Sequence, residues 1–114
     1  FTFPALPLFH WLADRPLATF AALHWIDVTP DAVVRADSVR LLAAPPAVVV
    51  RQRIPERALK LNELHFRGAV GKSGLRAMDA ALVKLLTESY RLEATFGQYE
   101  GWAPKLEVWV RNDR

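Results

Sequence analysis

Residues 62–96 carry three patterns in succession, and they constrain the fold more than any other part of this 114-residue chain. Polar and apolar side chains alternate over residues 63–67 with the period of two that is typical of a half-buried strand. After two glycines, apolar residues recur every three or four positions over residues 73–89, which predicts an amphipathic helix. Alternation returns over residues 90–96 and predicts a second strand, with Tyr90, Leu92, Ala94 and Phe96 on one apolar face. Strand, helix and strand in this order predict a βαβ unit with two parallel strands.

The flanking segments predict further helices and strands. A helix is expected from about Thr29, as a cap, to about Ala44, because a proline and an aspartate follow the threonine and a proline pair stops the helix. Residues 47–54 are rich in β-branched side chains and residues 105–111 alternate, so both are expected to be strands. Residues 16–24 are predicted to form a short helix and residues 25–28 a strand.

Together these elements predict an α/β protein, an α+β sandwich whose βαβ core belongs to a mixed sheet covered by helices. Residues 1–54 are expected to form an apolar segment and a small α/β lobe, and residues 55–114 a βαββ domain. The first twelve residues are strongly apolar and contain two prolines, so they are expected to dock on the domain rather than extend into water. In the last strand, sheet packing is the favoured role of Trp109, ahead of base stacking.

Composition limits the classes of function. With 15 Lys and Arg against 12 Asp and Glu, the net charge is +3 and the sequence pI about 9.7, which is compatible with an anionic partner. The hydrophobic fraction of 52% argues against intrinsic disorder. The chain has no cysteine, which excludes disulfides and thiolate metal sites. No apolar run approaches the ~18 residues that span a bilayer, so no membrane partner is expected.

No catalytic constellation is apparent. His10, His24 and His65 show no ligand spacing with one another or with carboxylates, and the first two stand in apolar surroundings that predict packing. We therefore expect no catalytic residue, no metal, no cofactor and no small-molecule substrate, and we do not expect an enzyme.

Residues 71–74, with the sequence Gly-Lys-Ser-Gly, allow two interpretations that involve phosphate. The first three resemble the end of a nucleotide-binding P-loop, but Phe66 stands where that motif requires its first glycine. A glycine loop that enters a helix would still offer free backbone amides to a phosphate. All four residues also fit the GxxG loop of KH domains, which clamps a nucleic-acid backbone. A KH-like module would make residues 47–54 the first strand and residues 56–66 a helix, which conflicts with a strand at residues 63–67.

Residues 62–96 also resemble the first half of the C-terminal domain of translation initiation factor 3. The resemblance lies in the Asn-Glu-Leu-His-Phe-Arg string of residues 62–67, the Leu85-Leu86 pair near the helix end and the alternating strand of residues 90–96. It implies binding to small-subunit ribosomal RNA and neighbouring ribosomal proteins, prevention of premature subunit joining, and assistance in start-site selection.

The resemblance covers under a third of the chain, and the family's lysine-rich linker and second helix have no counterpart in the sequence. This divergence and the start at Phe1 favour an organellar version in the mitochondrial matrix, with the bacterial cytoplasm as the alternative. A structural mitochondrial ribosomal protein or a small-subunit assembly factor is the alternative function within the same setting.

Six basic side chains are candidate contacts for RNA phosphates. Arg67, Lys72 and Arg76 cluster at the turn into the helix, where the helix dipole adds positive potential. By the resemblance, Arg67 matches a position that is usually basic in the family. Three further candidates also correspond to such positions, and they are Lys84, Arg91 and His65.

The alternative for these cations is local pairing on a solvated face. The spacing along the helix predicts an ion pair of Arg76 with Asp79 and another of Lys84 with Glu88.

Overall fold

The computed structural model describes residues 1–4, 13–21, 24, 29–68, 72–97 and 105–113, and these residues form an α+β fold. The elements in chain order are β1 (Thr2–Phe3), α1 (Asp31–Ala43), β2 (Val48–Gln52), α2 (Glu56–Arg67), α3 (Gly74–Ser89), β3 (Tyr90–Phe96) and β4 (Leu106–Arg111). The predicted fold class, a mixed sheet combined with helices, is confirmed.

The four strands form one sheet in the order β1-β2-β4-β3. β1 is parallel to β2, whereas β4 is antiparallel to both of its neighbours, β2 and β3. β1 and β2 come from the first 54 residues and β3 and β4 from the rest, so the sheet joins the two predicted parts of the chain.

Most of the longer predicted elements are confirmed. The helix expected over residues 73–89 is α3, the strand over residues 90–96 is β3, and the strands over residues 47–54 and 105–111 are β2 and β4. The helix expected to begin near Thr29 is α1, although Pro30 occupies its N-cap position and no side chain caps it.

The prediction of a strand at residues 63–67 is wrong, because these residues form the last turns of α2. Pro55 and Glu56 open this helix, in agreement with the preference for a carboxylate in a first turn. Leu59 and Glu63, four residues apart, are its buried side chains, and Leu64 is 67% exposed. The predicted parallel βαβ pair is therefore absent, and the helix that a KH-like module requires at residues 56–66 is confirmed.

Two further predictions need correction. Residues 16–21 are not helical, and residues 22–23 and the strand expected over residues 25–28 lie outside the described residues. In β3, a register shift follows Leu92, so that Ala94 and Phe96 pair with residues on the other face of β4. The prediction that β3 keeps one apolar face throughout is therefore wrong.

The core lies between the helices and the inner face of the sheet. Phe3 is fully buried in it, which confirms docking of the chain start over residues 1–4, while residues 5–12 lie outside the described residues. Trp109 packs against the core, which agrees with the predicted role in sheet packing. The buried apolar side chains are Phe3, Val34, Leu41, Val49, Leu59, Leu75, Met78, Leu82, Leu86 and Tyr90.

A largely buried guanidinium joins the sheet to α3. Arg51 on β2 has a side chain that is 12% exposed, and it donates to both carboxylate oxygens of Asp79 on α3, at 2.9 and 3.0 Å. It also donates to Glu107 on β4 at 3.2 Å. Burial lowers the pKa of Arg51, but the two carboxylates outweigh burial and raise it above its usual value.

A second buried charge fixes the segment that precedes α1. The Asp37 carboxylate is fully buried and accepts four hydrogen bonds of 2.7–2.9 Å. The donors are the backbone N–H groups of Phe20 and Ala21, the Nε2 atom of His24 and the guanidinium of Arg40. His24 is buried, as the sequence predicted.

We predict that Asp37 makes stability depend on acid pH. Burial by itself raises its pKa, but the hydrogen bonds, that of Ala21 first, lower it from 3.8 to about 2. Because the folded-state pKa is the lower one, the ionised carboxylate contributes about 2 kcal/mol above pH ~4, and this contribution is lost as the pH falls towards 2. Urea unfolding across this pH range should show the loss in the wild type and a flatter profile in Asp37→Asn.

The matched control is Asp113→Asn, which removes an exposed carboxylate. Its pH profile should follow that of the wild type. Identical profiles for Asp37→Asn and the wild type would contradict the prediction.

Candidate nucleic-acid interface

The chain connects α2 to α3 through the segment that contains the Gly-Lys-Ser-Gly sequence. Gly68 ends α2 with a φ of +61°, a conformation that glycine adopts readily. Residues 69–71 lie outside the described residues, and Lys72 and Ser73 then lead directly into α3. We call the cations Arg67, Lys72 and Arg76, with the carboxylates of Asp31, Glu56 and Glu63, the loop cluster.

Carboxylates occupy two backbone amides at the start of α3. The N–H of Ser73 donates to Glu63 Oε2 at 2.9 Å, and the N–H of Gly74 donates to Asp31 Oδ1 at 2.9 Å. Negatively charged acceptors are favoured at a helix N-terminus, because the first N–H groups have no partner within the helix and the helix dipole is positive there. The expectation that these amides are free for a phosphate is therefore wrong for these two residues.

Arg76 is held by two carboxylates of α2. Its Nε atom donates to Glu63 Oε1 at 2.6 Å, and its two terminal nitrogens donate to Glu56 at 2.9 and 3.0 Å. The hydrogen bond from Arg76 is the main cause of the lowered pKa of Glu56. The predicted pair of Arg76 with Asp79 is wrong, because Asp79 binds Arg51 instead.

Arg67 and Lys72 differ in their surroundings. Arg67, at the end of α2, lies 3.0 Å from Asp31 Oδ1, the oxygen that also accepts from Gly74. Lys72 is exposed and forms no ion pair with another described residue. It lies close enough to Glu56 to help lower the pKa of that carboxyl. Lys72 is thus the member of the loop cluster with a cation available to a ligand.

The other three candidates make contacts outside the loop cluster. Lys84 is ten residues after Gly74, about 15 Å along the helix axis, and its ammonium lies 4.0 Å from Glu88, which confirms the predicted pair. Arg91 follows the end of α3 and pairs with Glu93 at 3.2 Å. His65 is exposed on α2 and stacks edge-to-face on Phe66, with the ring centroids 4.6 Å apart.

Two cations on α2 did not emerge from the sequence. Arg57 and Lys60 are exposed and, within the described part of the chain, form no ion pair. Lys60 also helps lower the pKa of Glu56, which places it beside the loop cluster. The interpretation of residues 56–66 as a helix could have identified these two cations, because a helix brings the first turn of α2 towards the loop.

The three carboxylates of the loop cluster were also missed. Asp31 is 43 residues before Gly74, and Glu63 is 13 residues before Arg76. Contacts at such separations leave no periodic pattern in a sequence, so no local signal could have identified them.

Comparison of the chain with protein-family models, curated proteins and solved structures gives no match. Among the described residues, no helix is long and apolar enough to cross a membrane. The same residues contain no group of three or more His, Asp or Glu side chains that could hold a metal ion. The chemistry of the loop cluster must therefore be inferred from its own contacts.

We predict that Glu63 is a structural centre of the loop cluster. Glu63→Gln keeps the shape of the side chain but removes the charge that Arg76 and the Ser73 amide meet in a buried position. The free energy of unfolding should fall by about 2 kcal/mol, because hydrogen bonds to a buried charged group are strong. Urea titration at neutral pH measures this change.

Glu88→Gln is the matched control, since it makes the same charge change at an exposed site. It should alter the free energy of unfolding by less than about 0.5 kcal/mol. Equal losses in the two variants would contradict a special role of Glu63.

Proposed function

We propose that this chain is an RNA-binding module that holds the phosphates of an RNA strand at the loop between α2 and α3. The observation that carries the proposal is the order β2, α2, GxxG loop, α3, β3. This is the arrangement expected of a KH-like module, in which the loop clamps a nucleic-acid backbone. The two interpretations of the sequence differed over residues 63–67, which are helical.

Exposed positive charge supports the same proposal. Lys72 and Lys60 both act on the Glu56 carboxyl, so two exposed cations lie around one position beside the loop, and Arg57 adds a third in the first turn of α2. None of the three forms an ion pair with another described residue. Cations grouped in this way raise the local concentration of a polyanion, and each phosphate contact releases a counterion.

An aromatic side chain is available next to these charges. Phe66, near the end of α2, is 46% exposed and meets the exposed His65 ring. Base stacking on an aromatic ring tolerates any base sequence, so this pair suits an unpaired strand whose backbone lies on the cations. The proposed mechanism is electrostatic and steric, and no covalent bond is made or broken.

The RNA that we propose is that of the small ribosomal subunit, in a mitochondrial setting, with an effect on subunit joining. This part rests on the resemblance of residues 62–96 to translation initiation factor 3, and not on the geometry of the loop. The first string of that resemblance, residues 62–67, is helical rather than extended.

We predict that binding of a fluorescent single-stranded RNA, followed by anisotropy over a salt series, depends on Lys72. Lys72→Ala should weaken binding about threefold to tenfold and should reduce the slope of log K against log salt by about 0.7 to 1, the value for one lost phosphate contact. Lys84→Ala removes the same charge from a paired, distant site and should change affinity less than about twofold.

An equal loss in both lysine variants would indicate non-specific attraction to surface charge and would contradict the proposed site. Absence of RNA binding at every salt concentration would overturn the proposed function.

Co-sedimentation with purified small ribosomal subunits, with and without large subunits, tests the ribosomal part separately. Salt-sensitive binding that large subunits abolish supports a role in subunit joining. Binding that persists in the assembled ribosome would indicate a structural component instead.

A further inference from the structure

One carboxylate oxygen of the loop cluster occupies a position suited to a phosphate. Asp31 Oδ1 accepts from the N–H of Gly74 at 2.9 Å and lies 3.0 Å from a terminal nitrogen of Arg67. A backbone amide at a helix N-terminus together with a guanidinium is a donor set that binds phosphate oxygens. The site is therefore built for an anionic oxygen, and a side chain of the same chain supplies it.

Gly74 allows this close approach. A Cβ atom at this position would lie 3.1 Å from Asp31 Oδ1 and 3.3 Å from two carbon atoms of the same side chain. These distances are shorter than ordinary van der Waals contacts, so the Asp31 side chain would have to shift if residue 74 carried a Cβ atom. The second glycine of the GxxG loop thus serves the approach of an anion to the backbone.

The neighbouring Ser73 has an unused donor. It is 5% exposed, stands at the N-cap of α3, and its hydroxyl has no hydrogen-bond partner among the described residues. A buried hydroxyl without a partner is costly. Asp31 Oδ1 accepts from the N–H of Gly74 and lies beside Arg67 but does not satisfy this hydroxyl, whereas a phosphate carries further acceptor oxygens.

Of the two carboxylates at the start of α3, Asp31 is the one that a ligand can displace. The side chain of Glu63 is 7% exposed and is locked by Arg76, whereas that of Asp31 is 29% exposed. Asp31 is also the first residue of α1, so its carboxylate can turn towards the N-terminus of its own helix, where the dipole favours it.

We propose that Asp31 is a built-in competitor of RNA, whose carboxylate must leave Gly74 and Arg67 before a phosphate can bind them. This inference rests on the proposed function and concerns the regulation of the same site. It assigns Arg67 a phosphate contact that forms only in the complex. Removing the competing charge should therefore strengthen RNA binding.

The test measures the affinity of a single-stranded oligouridine probe for the wild type and for Asp31→Asn. Asparagine keeps an acceptor for Gly74 but loses the charge that holds Arg67, so affinity should rise about threefold to tenfold. Glu88→Gln, the matched change at the far end of α3, should raise it less than about twofold. A gain in RNA affinity that occurs in Asp31→Asn but not in Glu88→Gln supports the role of Asp31 as a competitor.

Two results would overturn it. One is an equal effect of Asp31→Asn and Glu88→Gln on RNA affinity, while the wild type still binds RNA and Lys72→Ala still weakens binding. The proposed function would then hold without a competing role of Asp31. The other is an NMR titration of the wild-type protein in which RNA binds but the Gly74 amide resonance does not shift. This titration needs no variant, so it decides the question even if Asp31→Asn fails to fold. Absence of RNA binding in every protein would instead remove the proposed function, and this inference with it.

Discussion

The ion pairs of Arg51 tie α3 to the sheet, and the loop between α2 and α3 ends at the helix that they hold. Arg51 connects β2 to α3 through Asp79 and to β4 through Glu107. The side chains of Arg51 and Glu107 are 12% and 10% exposed, so separating them would leave a buried charge without its partner, which is costly. Asp79 lies five residues after Gly74, so the pair fixes the first turns of α3 and the amides at its N-terminus.

Internal pairing also explains why net charge alone is a weak guide to a binding surface. Arg51, Arg67 and Arg76 all contact carboxylates in the folded chain, and so does Arg40, which binds the buried Asp37. A paired cation offers little field to a ligand, because its carboxylate cancels it at a short distance. In the proposed function, the charge that matters is carried by the exposed cations beside Glu56, because they form no ion pair with another described residue.

Much of the fold could be predicted from the sequence, because periodic segments were sufficient for α3, β3 and β4, start and stop signals for α1, and β-branched side chains for β2. The error at residues 63–67 has a physical reason, since five alternating residues satisfy a strand and the end of a helix equally well. What decides between them is the burial of Glu63, whose partners Ser73 and Arg76 come later in the chain.

The site was less predictable than the fold. Sequence reasoning grouped Arg67, Lys72 and Arg76 at the turn into the helix, but it could not assign their carboxylate partners, since Asp31 belongs to another helix. It also placed Lys84 and Arg91 in one phosphate-binding surface with them, although each has a local carboxylate partner. Helix spacing predicts neighbours along one element, whereas a binding site is formed by elements that meet only after folding.

The contact between Asp31 and the start of α3 stabilises the free protein, and in the proposed function it lowers the affinity for RNA. In the absence of a ligand, the carboxylate satisfies a helix amide and a guanidinium that would otherwise rely on water. Because a phosphate needs the same two donors, any free energy that this contact contributes to the free protein is subtracted from the free energy of RNA binding. By linkage, bound RNA weakens the contact by the same amount. In the proposed function, Gly74 therefore serves both states of the loop, because it admits the Asp31 carboxylate in the free protein and a phosphate in the complex.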